Sequence, residues 1–182
     1  MAIAIRRMTQ QEFAVFRDWS IAQHTAELLA RTSMSQAEAA KEALSEFTGM
    51  LPEGLSTKEQ HLLSIIEDSS GECLGFLWAF YEETEGRKQS FLCDFALWEA
   101  NRRQGYGYAA LKLWEKQAVA DGCVECVLFV ADQNLAARSL YEKCGYVVLR
   151  PKDYGAYMIK KMDERYIYLP SILLLYCHLF VA

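Results

Sequence analysis

At 182 residues, 52% hydrophobic and 13% aromatic, the chain has the length of one domain and enough apolar side chains to bury a full core. Nineteen Lys and Arg against 24 Asp and Glu leave a formal net charge of -5. That balance excludes a global electrostatic footprint for nucleic acid and mildly favours a cationic substrate. The segment Met1 to Met8 lacks the long apolar stretch and small-residue cleavage site of a secretory signal, and the acidic residues after it argue against a transit peptide, so a cytoplasmic protein is expected.

In chain order, Ala2 to Arg7 alternates as an edge strand, and Thr9 to Glu12 forms a capping box that opens a helix running to about Arg31. A second box, Ser35 to Glu38, opens a helix that ends before the Leu51-Pro52-Glu53-Gly54 turn, so a helical hairpin occupies the N-terminal third. His61 to Glu67 and Cys73 to Tyr81 read as an antiparallel pair joined at Asp68-Ser69-Ser70-Gly71. A charged loop, Glu82 to Lys88, leads to a strand over Phe91 to Leu97 and, past a glycine loop, to a helix reaching Ala120, on which Gly107, Ala110, Leu111, Trp114 and Ala118 share a face. Cys123 to Val130 is the next strand, and strand, crossover helix and strand make a βαβ unit with the glycine loop at the carboxyl ends. A short helix from Asn134 is closed by Gly145, and Tyr146 to Leu149 with Tyr157 to Met162 forms a closing hairpin through Pro151-Lys152-Asp153.

Six cysteines, at 73, 93, 123, 126, 144 and 177, mostly sit inside apolar runs, as reduced buried thiols do. Cys123-Val124-Glu125-Cys126 matches C-x-x-C, but read as strand it sends its thiols to opposite faces, and no second pair completes a zinc site. Neither metal nor redox use is expected.

The most informative stretch is Arg102-Arg103-Gln104-Gly105-Tyr106-Gly107. Two near-adjacent glycines opening a helix let backbone N–H groups converge without obstruction by Cβ atoms, where the helix dipole favours an anion. The amides from Arg103 through Tyr108 can cradle a diphosphate, with the two arginines adding charge. Gly105-x-Gly107-x-x-Ala110 also fits a dinucleotide fingerprint, with Glu125 near the offset of a ribose carboxylate. The intervening Trp98 to Gln104 and the single, late βαβ unit argue against that reading.

The order Arg102, Gly105, Gly107, Asn134 and Tyr141 resembles the GNAT superfamily of acetyl-CoA-dependent N-acetyltransferases, over roughly residues 1 to 162. Asp94 to Gly107 and the helical hairpin ending in Leu51-Pro52-Glu53-Gly54-Leu55 are similar to a bacterial branch of it. The resemblance implies an α/β (α+β) fold: a central mixed, mostly antiparallel sheet with splayed parallel strands 4 and 5, flanked by helices. It also implies acetyl transfer from acetyl-CoA to a primary amine by direct attack in a ternary complex, with no metal. The pantetheine arm would lie along Phe95, Ala96 and Leu97 as an added strand, with an amide near Leu97 stabilising the developing oxyanion. Asn134 would hydrogen-bond the pantetheine, alongside its role as a helix cap. Tyr141 would be the general acid, since a phenol of pKa about 10 can partly protonate a leaving thiolate of pKa about 8.5; its other reading is a core aromatic. A non-catalytic coenzyme A-binding module is the alternative function.

An acceptor amine of pKa near 10 must lose a proton before attack. Asp94, in an apolar run where a carboxylate is expensive without a task or a partner, is the candidate base beside a purely structural reading; Glu99 lies nearer the mouth. Trp19, His24, Glu27 and Trp78 are candidate acceptor-site walls. The acceptor is expected to be a small-molecule or peptide amine, with neither nucleic acid nor membrane as partner. Residues 163–182 form an atypical tail whose apolar run, Tyr166 to Ala182, falls short of the roughly 20 residues that span a bilayer, and which is expected to pack on the sheet or across a homodimer interface.

Overall fold

The structure is a computed structural model and describes residues 2–84 and 86–162; the tail beyond Met162, and the expectation attached to it, lies outside the described residues. The first two helices start where their caps dictate. Thr9 and Ser35 accept from the N–H of Glu12 and Glu38, whose carboxylates answer the cap N–H groups, and α1 (Gln10–Arg31) and α2 (Gln36–Met50) follow. The strands are β1 (Ile3–Arg7), β2 (Gln60–Glu67), β3 (Cys73–Thr84), β4 (Arg87–Leu97), β5 (Glu125–Ala131), β6 (Val147–Lys152) and β7 (Gly155–Lys161), with α3 (Tyr106–Ala120) and α4 (Leu135–Lys143) between β4 and β6. They form one sheet in the order β1-β2-β3-β4-β5-β7-β6, antiparallel throughout except for the parallel pair β4–β5 that α3 bridges.

Each face of the sheet has its own core. On one, Phe16 of α1 and Phe47 of α2 meet Leu62, Phe76 and Trp78, with Phe16 edge-on to Phe76 at 5.5 Å between ring centroids. On the other, Leu111, Trp114 and Ala118 of α3 and Tyr141 of α4 pack on Leu77, Ala79, Leu92 and Leu128.

Several boundaries differ from the sequence reading. The expected loop over Glu82 to Lys88 is mostly strand, because Glu83 faces Lys88 and Glu82 faces Gln89 across the β3–β4 ladder, and such complementary pairs support pairing despite the charge. β6 runs through Pro151, which an outermost strand tolerates because its missing N–H leaves no ladder bond unmade. Cys123 precedes β5 rather than lying in it, so Cys123 and Cys126 share one core cluster instead of opposite faces. Burial pushes their thiols up to about 11 and about 12, which leaves them protonated and inert. Glu125 is ion-paired to Arg87 at 3.0 Å at the start of β5, the end of the parallel pair opposite the glycine loop, so it cannot meet a ribose there.

Gly75 of β3 is dictated by close approach: a Cβ would lie 2.1 Å from the Ala96 carbonyl oxygen. Gly75→Ala is therefore expected to destabilise the fold by about 3 kcal/mol, read as a lowered urea midpoint with unchanged slope. A midpoint equal to that of the parent would contradict the packing of β3 on β4.

Candidate active site

β4 and β5 pair only from Gln89–Glu125 to Leu92–Leu128. Beyond that point β4 carries a bulge: Leu92 opposes Ala79 and Asp94 opposes Trp78, so Cys93 is an extra residue. A bulge bends its strand and increases its twist, and here β4 leaves β5 and continues to Leu97 paired with β3 alone. Trp98 N–H donates to Leu74 O at 2.9 Å; by alternation along the ladder, Asp94 and Ala96 turn their backbone groups to β3 while Phe95 and Leu97 turn theirs to the open gap. Of the three expected backbone partners, two thus face the opening. The Leu97 carbonyl already accepts from Arg102 Nε at 3.0 Å, which ties the following loop to the strand end.

That loop turns through Glu99–Asn101, then through left-handed backbone at Arg103 (φ 59°) and Gly105 (φ 86°), the N-cap of α3. The first helical bond is Ala109 N–H to Gly105 O, and among the described residues nothing accepts from the N–H groups of Arg103, Gln104, Gly105, Tyr106, Gly107 and Tyr108. Unpaired amides over alternating backbone, at the positive end of a 15-residue helix, are the kind of arrangement that suits an anion. Gly105 is favoured by its φ alone, since a Cβ there would meet open space; Gly107 sits in a tight spot, where a Cβ would lie 3.3 Å from Leu140 Cδ2. The side chains diverge. Gln104 folds back to the Ala100 carbonyl at 2.8 Å, and Tyr106 is buried with its hydroxyl donating to Glu67 at 3.1 Å, so both serve the loop through backbone. Arg103 is exposed, and so is Tyr108, whose ring is flanked by Lys112 and Lys143.

Asn134 caps α4, its Oδ1 accepting from Ala137 N–H at 3.2 Å. About two helical turns further, Tyr141 is 6% exposed, with its ring 5.8 Å from that of Tyr146 and its hydroxyl hydrogen-bonded to no described residue. Burial first, and the charge of Asp94 second, push this phenol above its usual value. Asp94 itself points to the opposite face, toward α1, where Ser20 Oγ donates to Oδ2 at 2.7 Å. Burial raises its carboxyl to about 6, against the Ser20 bond, with Glu27 adding to the rise and His24 opposing it.

The other candidates separate clearly. Trp78 is fully buried and donates to Gln60 at 2.6 Å, a core residue rather than a wall. Glu99 is exposed beyond the strand end, and Trp19 packs against the α1–α2 core. Glu27 lines a cavity of about 210 Å³ with Arg31, Gln133 and Tyr154, closed on one side by Ala131 at the end of β5. The position of the splay, the Ser20–Asp94 bond and this cavity carry no local sequence signature: each joins segments far apart in the chain.

The sequence matches the acetyltransferase (GNAT) family over residues 18–146, a span that includes Asp94, the glycine loop, Asn134 and Tyr141. The chain belongs to that family. Two Bacillus subtilis (strain 168) proteins, the uncharacterized N-acetyltransferases YdgE and YycN, are 28% and 29% identical to this GNAT acetyltransferase over 148 and 146 residues, covering 81% and 80% of the chain and 94% and 93% of theirs. The crystal structure of YycN superposes with a TM-score of 0.73 at 28% identity, over 83% of this chain and 98% of that one. The PaiA N-acetyltransferase of Thermoplasma acidophilum, solved with coenzyme A, shares the fold with a TM-score of 0.59 at 20% identity, over 88% of this chain and 99% of that one.

Proposed function

We propose that this GNAT acetyltransferase moves the acetyl group of acetyl-CoA to a primary amine by direct attack in a ternary complex. The observation that supports the reading is the divergence of β4 from β5 past the bulge at Cys93, beside a loop with six unpaired main-chain donors and with Tyr141 and Asp94 on either face of the sheet. Acetyl-CoA supplies an activated acyl group as a thioester with a thiol leaving group.

The N–H groups from Arg103 to Tyr108 hold the diphosphate, with Arg102 and Arg103 adding positive charge. The exposed edge at Phe95 and Leu97 aligns the pantetheine as a further strand, beside Ala96 and assisted by Asn134. Leu97 N–H polarises the acyl oxygen. Asp94 takes a proton from the incoming ammonium, and Tyr141 gives its phenolic proton toward the departing sulfur and regains one from the nitrogen that has formed the amide. The cavity beside Glu27 holds the body of the acceptor. Solved neighbours of the same fold hold kanamycin in one case and a Gag peptide in another, which supports a small-molecule or peptide amine as the acceptor class here.

The reading extends to a cytoplasmic homodimer. The five described cysteines form no disulfide among themselves, as a reducing compartment keeps them, and Val147, Val148 and Leu149 stand 62%, 45% and 38% exposed on the edge strand β6, a surface suited to self-association. Sedimentation is expected to give twice the chain mass.

Thiol release from acetyl-CoA, followed with a panel of amines, tests the activity. At least one amine is expected to promote release well above the background hydrolysis rate, and acetyl-CoA alone is expected to raise the melting temperature by mass action. Tight coenzyme A binding with no amine-dependent release would contradict catalysis. In Gly105→Ala the left-handed turn is strained, so coenzyme A affinity is expected to fall about tenfold or more, measured by calorimetry, while the fold persists.

A further inference from the structure

Behind Asp94, away from the proposed acyl group, lies a second set of ionisable side chains. α1 turns Ser20, His24 and Glu27 toward the interior, and His24 is 2% exposed. Its Nε2 meets the Glu46 carboxylate from α2, and its Nδ1 lies 3.5 Å from Glu27 Oε2. Ser20, whose hydroxyl donates to Asp94 at 2.7 Å, precedes His24 by four residues and so sits one turn along the same side of the helix. A carboxylate, a hydroxyl, an imidazole and two further carboxylates therefore follow one another from the sheet to the α1–α2 interface. An apolar packing of that interface would be cheaper.

We propose that His24, clamped by Glu27 and Glu46, is a positioning residue for acetyl transfer: as a cation it keeps Asp94 ionised and able to take the proton of the incoming ammonium. The inference rests on Asp94 being the base. The proton passes from the acceptor nitrogen to Asp94, leaving a neutral amine and a carboxylic acid, and then to bulk water; His24 changes no bond. The groups that act on Asp94 are Ser20, His24 and Glu27 of α1, and Asp94 in turn acts on Tyr141 of α4 from the other face of the sheet. Facing His24 are Glu27, Glu46 and Asp94, with Glu42 and Arg31 acting on Glu46. Burial opposes a charge on His24, and the two carboxylates outweigh it, so the ring is held above its ordinary value. Among these groups Glu27 works against ionisation of Asp94, and His24 is the cation that favours it.

The test is the pH dependence of kcat/KM for the parent, His24→Asn and Asp94→Asn, together with the NMR titration of the His24 ring in the parent protein. In His24→Asn the acid limb is expected to move up by about one pH unit, with roughly tenfold less activity near pH 6 and recovery near pH 9. A merely structural histidine would instead scale the whole profile without moving the limb, and that outcome overturns the proposal. So does a His24 ring that is neutral at pH 6.5 in the parent, a measurement that needs no variant to fold. Asp94→Asn is expected to abolish the limb; a limb that survives in Asp94→Asn overturns the assignment of the base instead, so the two failures are read apart.

Discussion

Replacing Tyr141 with phenylalanine is expected to lower turnover about 10²- to 10⁴-fold, the range for loss of a positioned general acid, while coenzyme A affinity stays within a few-fold. The substitution removes one oxygen. The ring stays in the core shared by α3, α4 and the sheet, against Tyr146, and the lost hydroxyl has no hydrogen bond to a described residue to give up. Stability should accordingly be little changed, because the substitution takes away no hydrogen bond and leaves the packing of the ring intact. Steady-state kcat beside a calorimetric dissociation constant separates the two effects. Parallel losses in turnover and affinity would mean that Tyr141 shapes the cofactor cleft rather than donating a proton.

Asp94→Asn should disable the enzyme and stabilise it together. The folded state raises this carboxyl from 3.8 to about 6, so the native protein binds the proton more tightly than the unfolded chain does. Its contribution to stability is therefore fully present below the unfolded value and is lost as pH rises through 6. At pH 7.5 the folded state carries a penalty of about 3 kcal/mol, from roughly two pKa units at about 1.4 kcal/mol each. Asparagine keeps an oxygen for Ser20 to donate to and carries no charge. The variant is expected to unfold at higher denaturant than the parent at pH 7.5, the gap closing near pH 4, while kcat/KM falls at least about 100-fold at neutral pH. Unchanged activity, or a stability gap indifferent to pH, would show that the carboxylate is structural. A group retained against stability in this way is what a functional site requires.

What was legible in the sequence was local. Thr9 with Glu12 and Ser35 with Glu38 announce their helices because both halves of each cap lie within four residues, and Gly105 announces its turn because no other residue adopts that backbone cheaply. Charge misled where it was paired across strands: Glu82 to Lys88 reads as loop until Glu83 is placed opposite Lys88. A loop that grips anions through its main chain was legible because glycine spacing encodes it. The divergence of β4 from β5 was known only through family resemblance, since Cys93 carries no mark of a bulge. The Ser20–Asp94 bond and the clamp on His24 were out of reach, because they join residues on β4, α1 and α2 that only tertiary packing brings together.

A crystal structure of the complex with coenzyme A tests the central claim most directly. Diphosphate oxygens are expected about 3 Å from main-chain nitrogens between Arg103 and Tyr108, with the pantetheine paired to Phe95 and Leu97 and the sulfur within reach of the Tyr141 hydroxyl. A diphosphate bound away from the start of α3, or a sulfur lying on the far side of β5 from Tyr141, would contradict it.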